Sequence, residues 1–206
     1  MEKEQFIAIL SDYLPSASLE YCFQLWTKYR FKLKISKARA SKLGDYRYIP
    51  REEKHIITVN HNLNPYNFLV TYIHEVAHLV TFKNYSRDVA PHGAEWKKSF
   101  KDLLLPVLNG QVFPPELLVT LQKHMENPKA SSCSDSVLTL KMRKYDPPKD
   151  VILLGDLHFG QQFMFRKRVF EKKSLKRTRV LCREVYSNRN YLISKFAEVE
   201  KINDVQ

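Results

Sequence analysis

The run His74-Glu75-Val76-Ala77-His78 constrains this chain more than any other segment, because it sets ionisable side chains into a stretch otherwise built to be buried. Asn64-Pro65 supplies a helix N-cap followed by proline at the first helical position. Phe68, Leu69, Tyr72, Ile73, Val76, Ala77 and Val80 then give the helix an apolar surface too broad for an exposed position. Burying two imidazoles and a carboxylate on such a helix costs several kcal/mol unless they find partners. Residues four apart share a helix face at about 5–6 Å between Cβ atoms, so His74 and His78 can aim at one point. Chance produces this pattern in roughly one or two of a hundred chains of this size. A metal ion is the partner that satisfies both rings together, and a pair of hydrogen-bonded core histidines is the competing reading.

A catalytic zinc site keeps three protein ligands and leaves the fourth position to water, whose pKa falls towards about 7. Glu75 is rotated by about 100° from its neighbour His74 around the helix, where its carboxylate can take the proton of that water. The third ligand comes from elsewhere. The metzincin pattern would place glycine at 81 and histidine at 84, and the chain has Thr81 and Asn84. The later run His92-Gly93-Ala94-Glu95-Trp96 offers two ligands, His92 and Glu95. Pro91-His92-Gly93 reads as the start of a second helix whose Trp96, Phe100, Leu103 and Leu104 face the core, with Glu95 one turn after His92. His92 is favoured as ligand. Glu95 then orients an imidazole from behind or is an acidic residue suited to a first helical turn.

The run from Phe31 to Phe100 contains Lys37-Ala38-Arg39-Ala40-Ser41-Lys42-Leu43-Gly44-Asp45-Tyr46-Arg47, then Ile57-Thr58-Val59-Asn60, the paired-histidine helix and His92-Gly93-Ala94-Glu95-Trp96. Together these resemble the SprT-like metalloprotease family, over the chain up to about residue 127. The resemblance implies a zincin-type fold with a small sheet beside the active-site helix. It also implies one zinc ion held by His74, His78 and His92, and peptide hydrolysis with Glu75 as base. Animal members cleave proteins crosslinked to DNA, so DNA-associated proteins are the substrates the resemblance suggests.

Residues 3–13 and 17–29 read as helices broken by Leu14-Pro15-Ser16. Phe31 to Ile35 alternates at period two, and 43–48 and 55–59 are two further strand candidates, giving a three-stranded sheet ahead of the paired-histidine helix. One of these strands is expected to line the cleft, because zinc peptidases commonly add an extended substrate to a sheet edge. Helices continue to about Leu105 and over 115–125. The small polar run 128–136 suits a linker. Beyond it 137–142, 151–154, 162–165, 169–170, 179–185 and 191–193 read as strands of a small β module. The class is therefore α+β, with a metalloprotease domain over 1–127, a linker over 128–136 and a basic β-rich module over 137–206. Some SprT-like relatives carry a C-terminal zinc ribbon with two cysteine pairs. Arg177 to Cys182 resembles the strand leading into such a pair, but the partner cysteines are absent, so the ribbon is degenerate.

Charge matters at the second module. The net charge is +12, and Arg166, Lys167, Arg168, Lys172, Lys173, Lys176, Arg177, Arg179 and Arg183 crowd a stretch whose sole acid is Glu171. Such a field attracts phosphate backbones, and Phe163, Phe165, Phe170 and Tyr186 are candidates to stack on bases or, alternatively, to form the module's own core. DNA or another nucleic acid is therefore an expected partner beside the protein or peptide substrate. A nucleic-acid-binding protein with a structural zinc and no peptidase activity is the alternative, and a zinc hydrolase of another amide or ester is a third. Cys22, Cys133 and Cys182 are too far apart to suggest a disulfide framework, and Cys22, beside Leu19, Phe23 and Trp26, reads as a core residue. No basic leader opens the chain and no apolar run approaches the roughly 18 residues of a membrane span, so a cytoplasmic, membrane-free protein is expected. Tyr46, Tyr48, Tyr72, Tyr85 and His61 are unranked candidates for a donor to the transition-state oxyanion.

Overall fold

Two helices, α1 (Lys3–Leu10) and α2 (Leu19–Tyr29), precede a three-stranded sheet of β1 (Lys32–Ser36), β2 (Gly44–Ile49) and β3 (Lys54–Asn60) in the computed structural model, which describes residues 2–39, 42–129, 135–147 and 152–202. Strand β3 is central, parallel to β1 and antiparallel to β2, so β2 is an edge. Helix α3 (Pro65–Tyr85) follows and packs on the sheet through β2 and β3. Its N-cap is Asn64, whose side chain accepts from the N–H of Asn67, with Pro65 at the first helical position.

Burial of α3 on nearly every side follows from its composition: Phe68, Leu69, Tyr72, Ile73, Val76, Ala77 and Leu79 are fully enclosed. Helix α4 (Ala94–Leu104) crosses it and contributes Trp96, Phe100, Leu103 and Leu104 to the same core. The Tyr72 hydroxyl donates to the carbonyl of Cys22, tying α3 to α2. Cys22 itself is fully buried, as expected of a small core residue, and burial pushes its thiol pKa up.

Helix α5 (Pro115–Glu126) and helix α6 (Ser136–Arg143) complete this part of the chain. The segment 137–142, expected as a strand, is helical. Asp135 caps it by accepting from the N–H groups of Val137 and Leu138, and Leu138 and Met142, one turn apart, are the two positions buried while Leu140 is exposed. Its apparent alternation was therefore compatible with a helical face. The end of α6 is held at the start of α3, because the Asn64 amide donates to the Met142 carbonyl and to the Asp146 carboxylate.

Contacts divide the chain into two units, Met1–Pro147 and Pro148–Gln206. Of the linker expected over 128–136, residues 130–134, and Cys133 with them, lie outside the described residues. The second unit is a six-stranded antiparallel sheet in the order β4 (Ile152–Leu153), β9 (Glu198–Lys201), β5 (Gln162–Phe165), β6 (Arg168–Leu175), β7 (Arg179–Glu184), β8 (Asn190–Ser194). Phe163, Phe170, Val180, Cys182 and Ile193 fill its core. Strand β9 was not anticipated, because Glu198-Val199-Glu200-Lys201 exposes all but one residue and so shows no apolar run. The class is α+β: a helical unit around a small sheet, followed by a β-rich unit.

Candidate metal centre

His74 and His78 stand one turn apart on α3, and His92 reaches them from the connection to α4. Their Nε2 atoms form a tight triangle: His74–His78 3.2 Å, His78–His92 2.9 Å and His92–His74 3.3 Å. These three side chains form a group able to hold a metal ion. The donor set fits zinc. Nitrogens about 2.0–2.1 Å from a tetrahedral ion stand roughly 3.3–3.4 Å apart, close to the observed spacings. Hydrogen bonds among the rings cannot replace the ion. Each Nε2 either carries a hydrogen or presents a lone pair, so among three such atoms at least two must match, donor to donor or lone pair to lone pair. A cation satisfies all three at once.

Burial prepares the rings for that role. Desolvation, followed by the neighbouring imidazoles, lowers the pKa of His74 to about 2 and of His78 to about 4, and desolvation lowers that of His92. All three are neutral at pH 7, the state a metal ligand requires. The indole of Trp96 lies against every member of the triangle, with ring centroids 4.6 Å from His74, 5.4 Å from His78 and 4.7 Å from His92, and stacks on Phe100 at 5.0 Å. Trp96 is a core residue, as the sequence suggests, and its packing also spaces the three imidazoles.

His92 is not part of the second helix. Gly93 is the N-cap of α4, and the Gly93 N–H closes a four-residue turn onto the Ala90 carbonyl at 2.9 Å. Pro91 takes the second position of this turn, and His92 the third with φ +60°, a left-handed conformation that favours glycine. The turn is what points the imidazole back at α3. Glu95 lies in the first turn of α4 and outside the metal-binding group. A side chain at Gly93 would come within 3.2 Å of Oε2 of Glu95, so this carboxylate folds back over the turn.

Glu75 is 6% exposed and faces the start of β2. Desolvation first, and the nearby Asp45 second, raise its pKa to about 8, while the N–H of Tyr46 donates to the carboxyl and Arg39 and Lys42 pull in the other direction. A Cβ at Gly44 would sit 2.5 Å from Oε1 of Glu75 and 2.7 Å from Cγ2 of Thr71. The strand can approach the carboxylate this closely because residue 44 has no side chain. A cleft of about 390 Å³ opens here, lined among others by Gly44, Val70, the three histidines, Glu75, Phe100 and His124.

Of the residues considered as oxyanion donors, only Tyr46 lines the cleft, and its hydroxyl lies 2.9 Å from Nδ1 of His55. Tyr48 packs on His55 and Phe82, Tyr72 is turned towards Cys22, Tyr85 is 43% exposed and His61 lies in the exposed turn after β3. Sequence reading missed His124, a cleft residue whose ring is held at 2.9 Å from Asp135. Eleven residues separate the pair, a spacing no motif describes; the one available hint was a histidine in the last turn of a helix otherwise apolar on that side.

Part of the basic stretch of the second unit is committed within the unit. Lys172 is 4% exposed and donates to the carbonyls of Gly155 and Leu157. Arg168 pairs with Glu184, and Lys173 and Arg183 both pair with Glu171. Phe163 and Phe170 are core residues, whereas Tyr186 is 82% exposed. Cys22 and Cys182 are free and buried. Among the described residues no helix is long and apolar enough to cross a membrane.

Neither a curated protein nor a solved structure matches the chain. Residues 13–108 match the SprT-like family, a span that includes the three-stranded sheet, the whole of α3 and the turn carrying His92. The metal-competent histidine triangle lies inside that span, so this part of the chain is similar to the SprT-like family.

Proposed function

We propose that this protein is a zinc-dependent peptidase in which His74, His78 and His92 hold the ion and Glu75 is the general base. The observation that carries this reading is the Nε2 triangle next to a buried carboxylate on the same helix. When bound, zinc polarises a water and the scissile carbonyl as a Lewis acid. Glu75 accepts the proton of that water and passes it to the leaving amine. Without metal, burial keeps the Glu75 carboxyl protonated at neutral pH; a divalent charge nearby favours the ionised form, while the low-polarity wall keeps its proton affinity high. The Tyr46 N–H holds the carboxylate towards the cleft.

Substrate placement follows from the sheet. Among the described residues β2 pairs only with β3, and Lys42, Leu43, Gly44, Asp45 and Tyr46 line the cleft. An extended peptide can add to this free edge as a further strand, bringing its backbone across Glu75. Val70 and Phe100 supply an apolar wall. Purified protein should hold about one zinc per chain, and Glu75→Gln should keep the metal while abolishing peptide cleavage. Cleavage that survives in that variant refutes the mechanism.

Nucleic-acid contact is proposed for the second unit through its exposed bases, Arg166 and Lys167 at one hairpin turn and Lys176, Arg177 and Arg179 at another. Five such charges would give log K against log salt a slope no steeper than about −4 to −5. A binding assay with no salt slope removes this partner.

A further inference from the structure

The cleft contains a second histidine centre that the reading above leaves unused. His124, in the last turn of α5, lines the cleft with Glu75 and the three metal-binding histidines, although it stands outside their group. Its Nδ1 lies 2.9 Å from Oδ2 of Asp135. The direction of this bond can be settled. Burial alone would raise the pKa of Asp135, but the hydrogen bond from His124, the N–H of Leu138 and nearby positive charge bring it below the ordinary value, so the group is a carboxylate and can only accept. Its other oxygen, Oδ1, already caps α6 by accepting from Val137 and Leu138. Nδ1 of His124 therefore carries the hydrogen, and Nε2 is the nitrogen left over. No partner for Nε2 exists among the described residues. Nε2 is not among the buried side-chain atoms left without a partner, so it reaches the solvent of the cleft. The side chain is 3% exposed, so it meets the cleft along one edge, which a single oxygen atom can reach.

We propose that His124, held by Asp135 and carrying a proton on both ring nitrogens when substrate is bound, donates a hydrogen bond from Nε2 to the carbonyl oxygen of the peptide as negative charge develops there. The assignment rests on the peptidase reading. It supplies what that reading lacks, since none of Tyr46, Tyr48, Tyr72, Tyr85 and His61 offers an uncommitted donor in the cleft. Asp135 has the role a carboxylate plays behind a catalytic imidazole: it holds Nδ1–H, and with it the ring's orientation, and it offsets the charge of the doubly protonated ring. Because the same carboxylate caps α6, and α6 is fastened to the start of α3 through Asn64, the donor is positioned by the element that also anchors the metal-binding helix.

The test uses the full zinc-loaded chain with two readouts, steady-state hydrolysis of a fluorogenic peptide and affinity for a phosphoramidate dipeptide, whose tetrahedral anion mimics the developing charge. His124→Gln should retain about one zinc and a KM within twofold of the parent, lose about 100-fold in kcat, the cost of removing one oxyanion donor, and lose at least tenfold in phosphoramidate affinity. Asp135→Asn, which keeps the helix cap but not the charge, should lose about tenfold in both. A purely structural His124 would lower stability and zinc content together and leave kcat per bound zinc unchanged. That result, or unchanged phosphoramidate affinity in a zinc-loaded His124→Gln, overturns the proposal. If His124→Gln does not fold, Asp135→Asn decides by the same criteria. A parent chain that cuts no peptide, or a Glu75→Gln variant that cuts as fast as the parent, sinks the peptidase reading instead. The role of His124 falls with it, a failure distinguished from the one above by the parent and Glu75→Gln rates.

Discussion

His92 gives the sharpest test, because one residue carries two separable energies. Its φ of +60° places an L-residue where Cβ crowds the following carbonyl, at a cost of about 1–2 kcal/mol. Pro91 fixes the preceding φ and the Gly93 N–H closes the turn on Ala90, so the chain cannot easily relax away from it. Glycine at 92 removes this strain; set against that, glycine's freer unfolded chain costs about 0.4–1 kcal/mol. In the metal-free protein His92→Gly should therefore be more stable than His92→Ala by roughly 0.5–1 kcal/mol. Both variants remove the same imidazole, so the difference isolates the turn.

The second energy appears only with metal. Zinc at a thousandfold excess over its dissociation constant stabilises a folded protein by about 4 kcal/mol, and both variants should lose most of that gain. Guanidinium unfolding with EDTA and with saturating zinc, followed by Trp26 and Trp96 fluorescence, reads both terms. Equal stability of His92→Gly and His92→Ala in EDTA refutes the strained turn. A zinc gain of parental size in either variant refutes His92 as a ligand. Neither outcome implies the other.

Metal-free stability should also peak near pH 6.5. Below that pH the unfolded chain protonates its histidines while folded His74 and His78 stay neutral down to about 2 and 4. Stability is therefore lost as pH falls, each group contributing about 1.4 kcal/mol per pH unit. Glu75, with a folded pKa of about 8, opposes this from 4.5 upward and alone controls the range above 6.5, where stability should fall towards pH 8. Saturating zinc should abolish that alkaline fall, and a flat metal-free profile from 6.5 to 8 would contradict the buried carboxyl. Gly44→Ala should keep its zinc but lose at least tenfold in kcat and about 1–3 kcal/mol of stability, because its Cβ would overlap Glu75 and Thr71; parental kcat would show that the strand does not set the carboxylate. In the second unit, Lys172→Met leaves the Gly155 and Leu157 carbonyls without their donor and should cost about 1–3 kcal/mol, read by faster hydrogen exchange in β6 and β7.

Much of this arrangement is legible in the amino-acid order, and the physical reason differs from part to part. The α3 site was readable because its histidines are local: a fixed four-residue offset and a fixed helical pitch place His74 and His78 together before any tertiary contact is known. The small sheet was readable because Phe31 to Ile35 alternates at period two and 43–48 and 55–59 are short runs of strand-forming residues beside it. His92 was readable as a partner of His74 and His78 but not as a conformation, since Pro91-His92-Gly93 is as consistent with a helix start as with a tight turn. In α6 the alternation of Leu138, Leu140 and Met142 fits two periods at once, and the capping carboxylate of Asp135 with the docking of Asn64 decides between them. His124 left only a faint trace in the sequence: its place arises from a carboxylate eleven residues later and a cleft wall made by other elements. The parts of the site set by local geometry announce themselves, whereas the parts set by packing do not. A zinc site needs both, because the ligands fix where charge is stabilised and the surrounding packing fixes which proton donors can reach it.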